Sequence, residues 1–200
     1  PKSRNPLLSC IETRGHHGLC RQLRRDHPTA VAIGVAERKR RDYSADAIFE
    51  LHTQALEWLE QYTEIEYPFQ KFDFVLIPGF PYGGMEHVGA IQYRASRLLL
   101  EEEPPITDVL RRAQLIAHET AHMWFGNLVT MSWFDDVWMK EVFANFMADK
   151  IVGPAFPEVD HALNFQVSHY PAAYAIDRSE GANPIRQPLL NVGFRCWPTP

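Results

Sequence analysis

The stretch that decides how this chain is read is His118-Glu119-Thr120-Ala121-His122-Met123-Trp124-Phe125-Gly126-Asn127. Before it, Val109, Leu110, Ala113, Ile116 and Ala117 recur at helical spacing. With Thr107 as N-cap, this pattern predicts a helix running to about Phe125, closed by Gly126-Asn127. On a helix, residues four apart stand one above the other on one face. The imidazoles of His118 and His122 can therefore reach a single metal ion at about 2.0–2.1 Å. Glu119 lies one residue along, beside such an ion rather than on it, where a base must stand to take a proton from water. A solvated pair of histidines is the plain alternative. The helix is apolar around the motif, however, and two imidazoles and a carboxylate placed there need partners.

Working downstream, a catalytic metal site wants a third protein ligand and an open position. Glu141 is the candidate, within Trp138-Met139-Lys140-Glu141 on the next expected helix, about Asp136 to Val152. Its neighbours Val137, Trp138, Val142, Phe143 and Phe146 predict a buried stretch, where a lone carboxylate is costly. Asn145, one turn on, reads either as an orienting partner for a ligand or as a surface residue. Asp135 and Asp136 read as N-caps. Gly153-Pro154 is expected to stop the helix, and Glu158 to about His169 to form another. The five prolines from Pro171 onward read as loop.

Working upstream, Ile48, Leu51, Ala55, Trp58 and Leu59 recur at helical spacing behind Ser44, a candidate N-cap. Phe72 to Ile77 is a buried-strand pattern closed by Pro78-Gly79, and Ala90 to Tyr93 is a second. Between them lies a Gly/Pro-rich turn through Gly83-Gly84. Glu101-Glu102-Glu103-Pro104-Pro105 reads as an exposed connector. Residues 1–30 carry weak signals: Gly15-His16-His17-Gly18 resembles a loop, and Val31 to Val35 could be a strand.

Composition narrows the classes. The chain has 200 residues, 46% of them hydrophobic and 22% charged, so a disordered or low-complexity chain is excluded. No apolar run approaches the ~18 residues of a membrane span, and no signal peptide is visible, so the compartment stays open. The net charge of -5 hides an asymmetry, because residues 1–41 carry ten Lys/Arg against three acids. Arg38-Lys39-Arg40-Arg41 is short and lacks interleaved aromatics, so a solvated segment is preferred to a nucleic-acid site. Cys10, Cys20 and Cys196 form neither a disulfide framework nor a zinc knuckle.

His118-Glu-x-x-His122, then eighteen intervening residues and Glu141, is similar to the zinc signature of the gluzincin metallopeptidases. The longer run from His118 to Thr130 resembles the aminopeptidase N family, which includes leukotriene hydrolase. Upstream, Gly83-Gly84-Met85-Glu86-His87 resembles that family's Gly-x-Met-Glu-Asn exopeptidase motif, with His87 where Asn is usual. These motifs span roughly residues 43–191.

The resemblance implies an α+β fold, a thermolysin-like catalytic domain over residues 43–200 with a small mixed sheet followed by a mainly helical part, here incomplete, with residues 1–42 as the remnant of a preceding domain or a linker. It implies one Zn2+ held by His118, His122 and Glu141, and peptide substrates with a free N-terminus, with no nucleic acid and no membrane span. Hydrolysis of the first peptide bond would use zinc-activated water with Glu119 as general base. Glu86 would pair with the substrate's α-amino group at one fixed distance from the zinc, with Gly83, Gly84 and Met85 lining the cleft. The family's oxyanion-stabilising Tyr would fall just past Pro200, Tyr170 and Tyr174 being too early and expected to be structural. The alternative reading follows from that count: a zinc-binding but catalytically impaired fragment.

Overall fold

The computed structural model describes residues 35–180, 182, 184 and 185, with side chains from Ser44 onward. Cys10, Cys20, Cys196, the Gly15–Gly18 loop and the chain beyond 185 lie outside the described residues, as does Val31–Gly34 of the expected strand.

The chain begins with a long helix, α1 (Val35–Thr63), followed by strands β1 (Phe74–Ile77), β2 (Gly84–Met85) and β3 (Ile91–Arg94). A one-turn helix α2 (Ala95–Leu98), then α3 (Ile106–Ala121), α4 (Trp138–Ala155) and α5 (His161–Asp177) complete it. The expected α+β architecture is therefore present. The sheet is mixed, ordered β1-β3-β2. β3 runs parallel to β1, with Phe74 opposite Ile91, and antiparallel to β2, with Gly84 opposite Tyr93. β2 is thus an edge strand, formed where the sequence reads only as a turn.

Apolar positions account for the core. Leu56, Leu59, Phe72, Tyr93, Leu98, Ile116, Met123 and Trp124 are almost wholly buried. Each such side chain removed from water contributes about 1.5–3 kcal/mol. Helix α3 packs against α1 and α4. It buries Leu110, Ala113, Ile116, Ala117 and Ala121, the face its periodicity predicts. His52 of α1 joins this helix to the sheet. Its ring stacks on Phe74 at 4.4 Å between centroids. Its Nδ1 donates to the Ile48 carbonyl at 2.7 Å, so its Nε2, 3.1 Å from the Tyr93 hydroxyl, is the acceptor. Burial pushes this imidazole down to about 4.

Several boundaries differ from the sequence reading. Helix α1 starts at Val35, and Ser44 is a buried interior residue whose hydroxyl meets the Leu100 backbone rather than capping anything. The N-cap of α3 is Pro105, not Thr107, and the helix ends at Ala121. Pro105 fixes φ near the value the first turn requires. A 3-10 turn, Phe134–Asp136, absorbs Asp135 and Asp136, and the cap of α4 is Val137. Helix α4 continues through Gly153-Pro154 to Ala155. Helix α5 starts later than expected, capped by Asp160, whose carboxylate accepts from the Leu163 amide at 3.0 Å. It continues through Pro171 to Asp177, helped by the flanking formers Ala172, Ala173 and Ala175. Among the described residues no helix is long and apolar enough to cross a membrane.

Candidate metal centre

His118 occupies the last turn of α3 and His122 is its C-cap, still in right-handed helical conformation (φ -57, ψ -23) with its N–H bonded to the His118 carbonyl. The i,i+4 relation expected of the pair is thus kept although the helix formally stops between them. The two rings stand nearly perpendicular, with centroids 4.5 Å apart. Their Nε2 atoms are 3.0 Å apart. Glu141, in the first turn of α4, brings Oε2 to 3.4 Å from His118 Nε2 and 3.6 Å from His122 Nε2.

These three atoms form a small triangle open to a common ligand. A tetrahedral ion with bonds of about 2.0–2.1 Å sets its donors about 3.3 Å apart, so the observed edges of 3.0, 3.4 and 3.6 Å suit one. The tautomer of His122 agrees. Its Nδ1 lies 3.1 Å from the Phe125 carbonyl, which can only accept, so a neutral ring carries its proton on Nδ1 and presents a bare Nε2. Gly126 makes room for this arrangement. It sits at φ +140, and a Cβ there would stand 3.1 Å from His122 Nδ1.

Glu119 is buried beside the pair, with a carboxylate oxygen within 4.8 Å of a nitrogen of each ring. Among the described residues its Oε2 has no hydrogen-bond partner. Burial raises its carboxyl to about 8; His118 pulls it down, and the neighbouring charges of Glu86 and Glu141 push it further up. The side chain rests directly against β2. A Cβ on Gly84 would lie 2.1 Å from Glu119 Oε1. The glycine of this edge strand therefore leaves space for Glu119, a reason for its smallness that differs from close approach to a peptide. Gly83 serves the sheet, its carbonyl accepting from the Arg94 amide at 2.9 Å. Arg94 also holds the preceding turn by donating to the carbonyls of Phe80 and Pro81.

Glu86, just after β2, faces the same centre. One nitrogen of His122 and one oxygen each of Glu86 and Glu141 lie within 4.8 Å of one another. Lys140 stands between the two carboxylates, with Nζ 2.5 Å from Glu86 Oε1 and 2.6 Å from Glu141 Oε1. Burial alone would raise the Glu86 carboxyl, but the His122 imidazole and the Lys140 ammonium lower it. Burial likewise works against the Glu141 carboxylate, and the imidazoles of His118 and His122 with the Lys140 ammonium overcome it and hold that group well below the carboxylate range. With Glu86 and Glu141 ionised against one ammonium, the cluster carries one excess negative charge, and two once Glu119 ionises, which a dication offsets.

The sequence reading placed His118, Glu119, His122, Glu141 and Glu86 in one site, and the structure brings these five together. It missed two residues. Lys140 is the only ammonium seen in this cluster among the described residues. Asn127, read only as a helix stop, donates from Nδ2 to the Glu86 carbonyl at 2.9 Å. Both could have been suspected from adjacency to a motif, but not assigned a partner. One expectation fails. Val142, Phe143 and Phe146 are 52%, 43% and 50% exposed, so apolar neighbours do not bury Glu141. Helix α4 turns Ala144, Met147, Ala148, Ile151 and Val152 inward instead. Asn145 is exposed, as are Tyr170 and Tyr174 on α5, and none of the three packs in the core.

Comparison with known proteins identifies the family of the chain. Residues 48–193 match the Peptidase family M1 domain. The chain is similar to a leucyl aminopeptidase of Saccharolobus solfataricus, 38% identical over 136 residues, covering 68% of this chain and 17% of that protein. It is 35% identical over 158 residues to the puromycin-sensitive aminopeptidase of Caenorhabditis elegans, covering 78% and 16%. It is 41% identical over 132 residues to the human endoplasmic reticulum aminopeptidase 2, covering 64% and 13%. The chain thus spans about one sixth of the length of the relatives it matches.

Proposed function

The chain belongs to peptidase family M1, and on that premise we propose that it carries the zinc site and the amine anchor of a metallo-aminopeptidase with a thermolysin-like catalytic domain over residues 43–200. The observation that carries this reading is the triangle of His118 Nε2, His122 Nε2 and Glu141 Oε2, with Glu119 and Glu86 on its flanks. His118, His122 and Glu141 would hold a zinc ion, which when bound supplies Lewis-acid polarisation of a carbonyl and acidifies water.

The chain's own residues supply the rest. Glu119 takes the proton of the attacking water as its oxygen bonds to the scissile carbonyl carbon, then returns it to the leaving amine as the C–N bond breaks. Its Oε2, without a hydrogen-bond partner among the described residues, is an acceptor for that proton. Burial favours its neutral form, and the positive charge of an occupied site favours the carboxylate the reaction needs. Glu86, kept ionised by its neighbours, pairs with the α-ammonium of a peptide, so that only the first peptide bond reaches the imidazole pair. The edge of β2, at Gly84-Met85 and unpaired among the described residues, offers backbone groups to an extended substrate. The relatives' names, each an aminopeptidase, support the same substrate class.

The test has two arms. Metal analysis should find one zinc per chain in the unmodified protein and none in His118→Ala, His122→Ala or Glu141→Ala; zinc retained in all three sinks the ligand assignment. Peptides with a free N-terminus should be cleaved and their N-acetylated counterparts spared. Equal rates on both would remove Glu86 from its role and make the protein an endopeptidase.

A further inference from the structure

Lys140 belongs neither to the zinc-ligand triad nor to the base and amine anchor of the proposed reaction, yet it sits at their junction. Its Nζ lies 2.5 Å from Glu86 Oε1 and 2.6 Å from Glu141 Oε1, and its side chain is only 19% exposed. The two oxygens of Glu141 are thereby divided. Oε1 is held by the ammonium, and Oε2 faces the two imidazoles. A carboxylate with one oxygen pinned this way offers the other as a single donor in a fixed direction. The same ammonium joins elements distant in sequence, since Glu86 follows the edge strand and Lys140 lies in the first turn of α4, 54 residues later.

We propose that Lys140 is a positioning residue that orients Glu141 as a one-oxygen metal ligand and locks the Glu86 carboxylate at a set distance from it. The proposal rests on the metal-site reading above and assigns Lys140 no contact with the scissile bond. Two further observations support it. Lys140 is the ammonium that offsets the mutual repulsion of Glu86 and Glu141, which otherwise crowd one small volume. The backbone of Glu86 is independently fixed by Asn127 Nδ2 at 2.9 Å, so the Lys140 bridge acts on the Glu86 side chain rather than on the loop that carries it.

The experiment measures zinc affinity by competition with a chromogenic chelator, on the full chain, for the unmodified protein, Lys140→Met, Lys140→Arg, Glu86→Gln and the double variant Lys140→Met/Glu86→Gln. Loss of a group that orients a ligand weakens metal binding by roughly 10–100-fold, and Lys140→Met should fall in that range while Lys140→Arg recovers most of the loss. Glu86→Gln should weaken zinc less, and the double variant should match Lys140→Met alone, because both changes break one linked unit. Where turnover is followed at saturating zinc, Lys140→Met should raise KM for free-amine peptides more than it lowers kcat. Zinc affinity in Lys140→Met that is unchanged or tighter overturns the proposal, as does strict additivity of the two single changes. Should Lys140→Met fail to fold, Glu86→Gln and Lys140→Arg still decide: Lys140→Arg weakening zinc as much as His118→Ala, with Glu86→Gln silent, would overturn it. Wild-type zinc affinity in His118→Ala marks a different failure, that of the metal-site reading itself.

Discussion

The two halves of the candidate site are held by different means. His118, Glu119 and His122 come from a single turn at the end of α3, and their mutual geometry follows from helical pitch. Glu86, Lys140 and Glu141 come from a loop after an edge strand and from the start of α4, and only tertiary packing brings them together. The first half would keep its spacing wherever the helix forms. The second exists only while the sheet, α3 and α4 are docked. The α3 half presents nitrogen donors in a buried setting. The cross-element half gathers carboxylates that repel one another and depend on one ammonium. The proposed chemistry, with its fixed metal and fixed amine anchor, would thus rest on one robust component and one contingent component.

That contrast can be broken or sharpened from either side. The largest expected effect falls on the α3 half. Glu119→Gln should leave zinc content unchanged and cut kcat by roughly 10²–10⁴-fold, the usual contribution of a positioned general base. Turnover within a few-fold of the unmodified protein would show that the base lies elsewhere.

A second test reaches the floor beneath both halves. His52 hydrogen-bonds Tyr93 on β3, and Tyr93 stands opposite Gly84, against which Glu119 rests. The folded imidazole is pushed down from 6.5 to about 4, so the unfolded chain takes up the proton first. Stability should therefore be full above about pH 6.5 and fall as pH drops toward 4, by on the order of 3 kcal/mol. Thermal melts across that range should show the slope, and His52→Leu should flatten it. An unchanged slope in the variant would assign the acid sensitivity to other groups.

The smallest effect belongs to the cross-element half. Asn127→Ala removes the bond to the Glu86 carbonyl, worth about 1 kcal/mol. We expect KM for free-amine peptides to rise about five-fold, with kcat and zinc content held. A fall in kcat at constant KM would mean that Asn127 acts on the reacting centre rather than on the anchor.

How far the sequence alone could be followed depended on range. The helix that presents His118 and His122 was legible because its apolar period and its metal-ligand spacing agree, although it ends at Ala121 rather than at Gly126. β1 and β3 were legible as apolar runs with turn residues beyond them. β2 was not, because two residues rich in glycine carry no strand period, and only pairing with β3 makes them a strand. Burial on α4 was misread for a related reason. Apolar residues cover Val142, Phe143 and Phe146 as well as Met147 and Ile151, and periodicity does not say which stripe meets α3. Helix α5 makes the point more strongly, since none of its residues is buried despite Leu163, Phe165, Val167 and Ile176.

Spacing along one helix was enough to name His118, Glu119 and His122, because covalent geometry and hydrogen bonding leave a helical turn almost no freedom. Glu141 and Glu86 could be named from their motifs but not placed. Lys140 as the bridge between them, Asn127 as the clamp on Glu86 and Gly84 as the space for Glu119 were decided by tertiary structure alone. Each depends on a contact between residues 35 to 54 positions apart, and no local rule of chain geometry carries information over that distance.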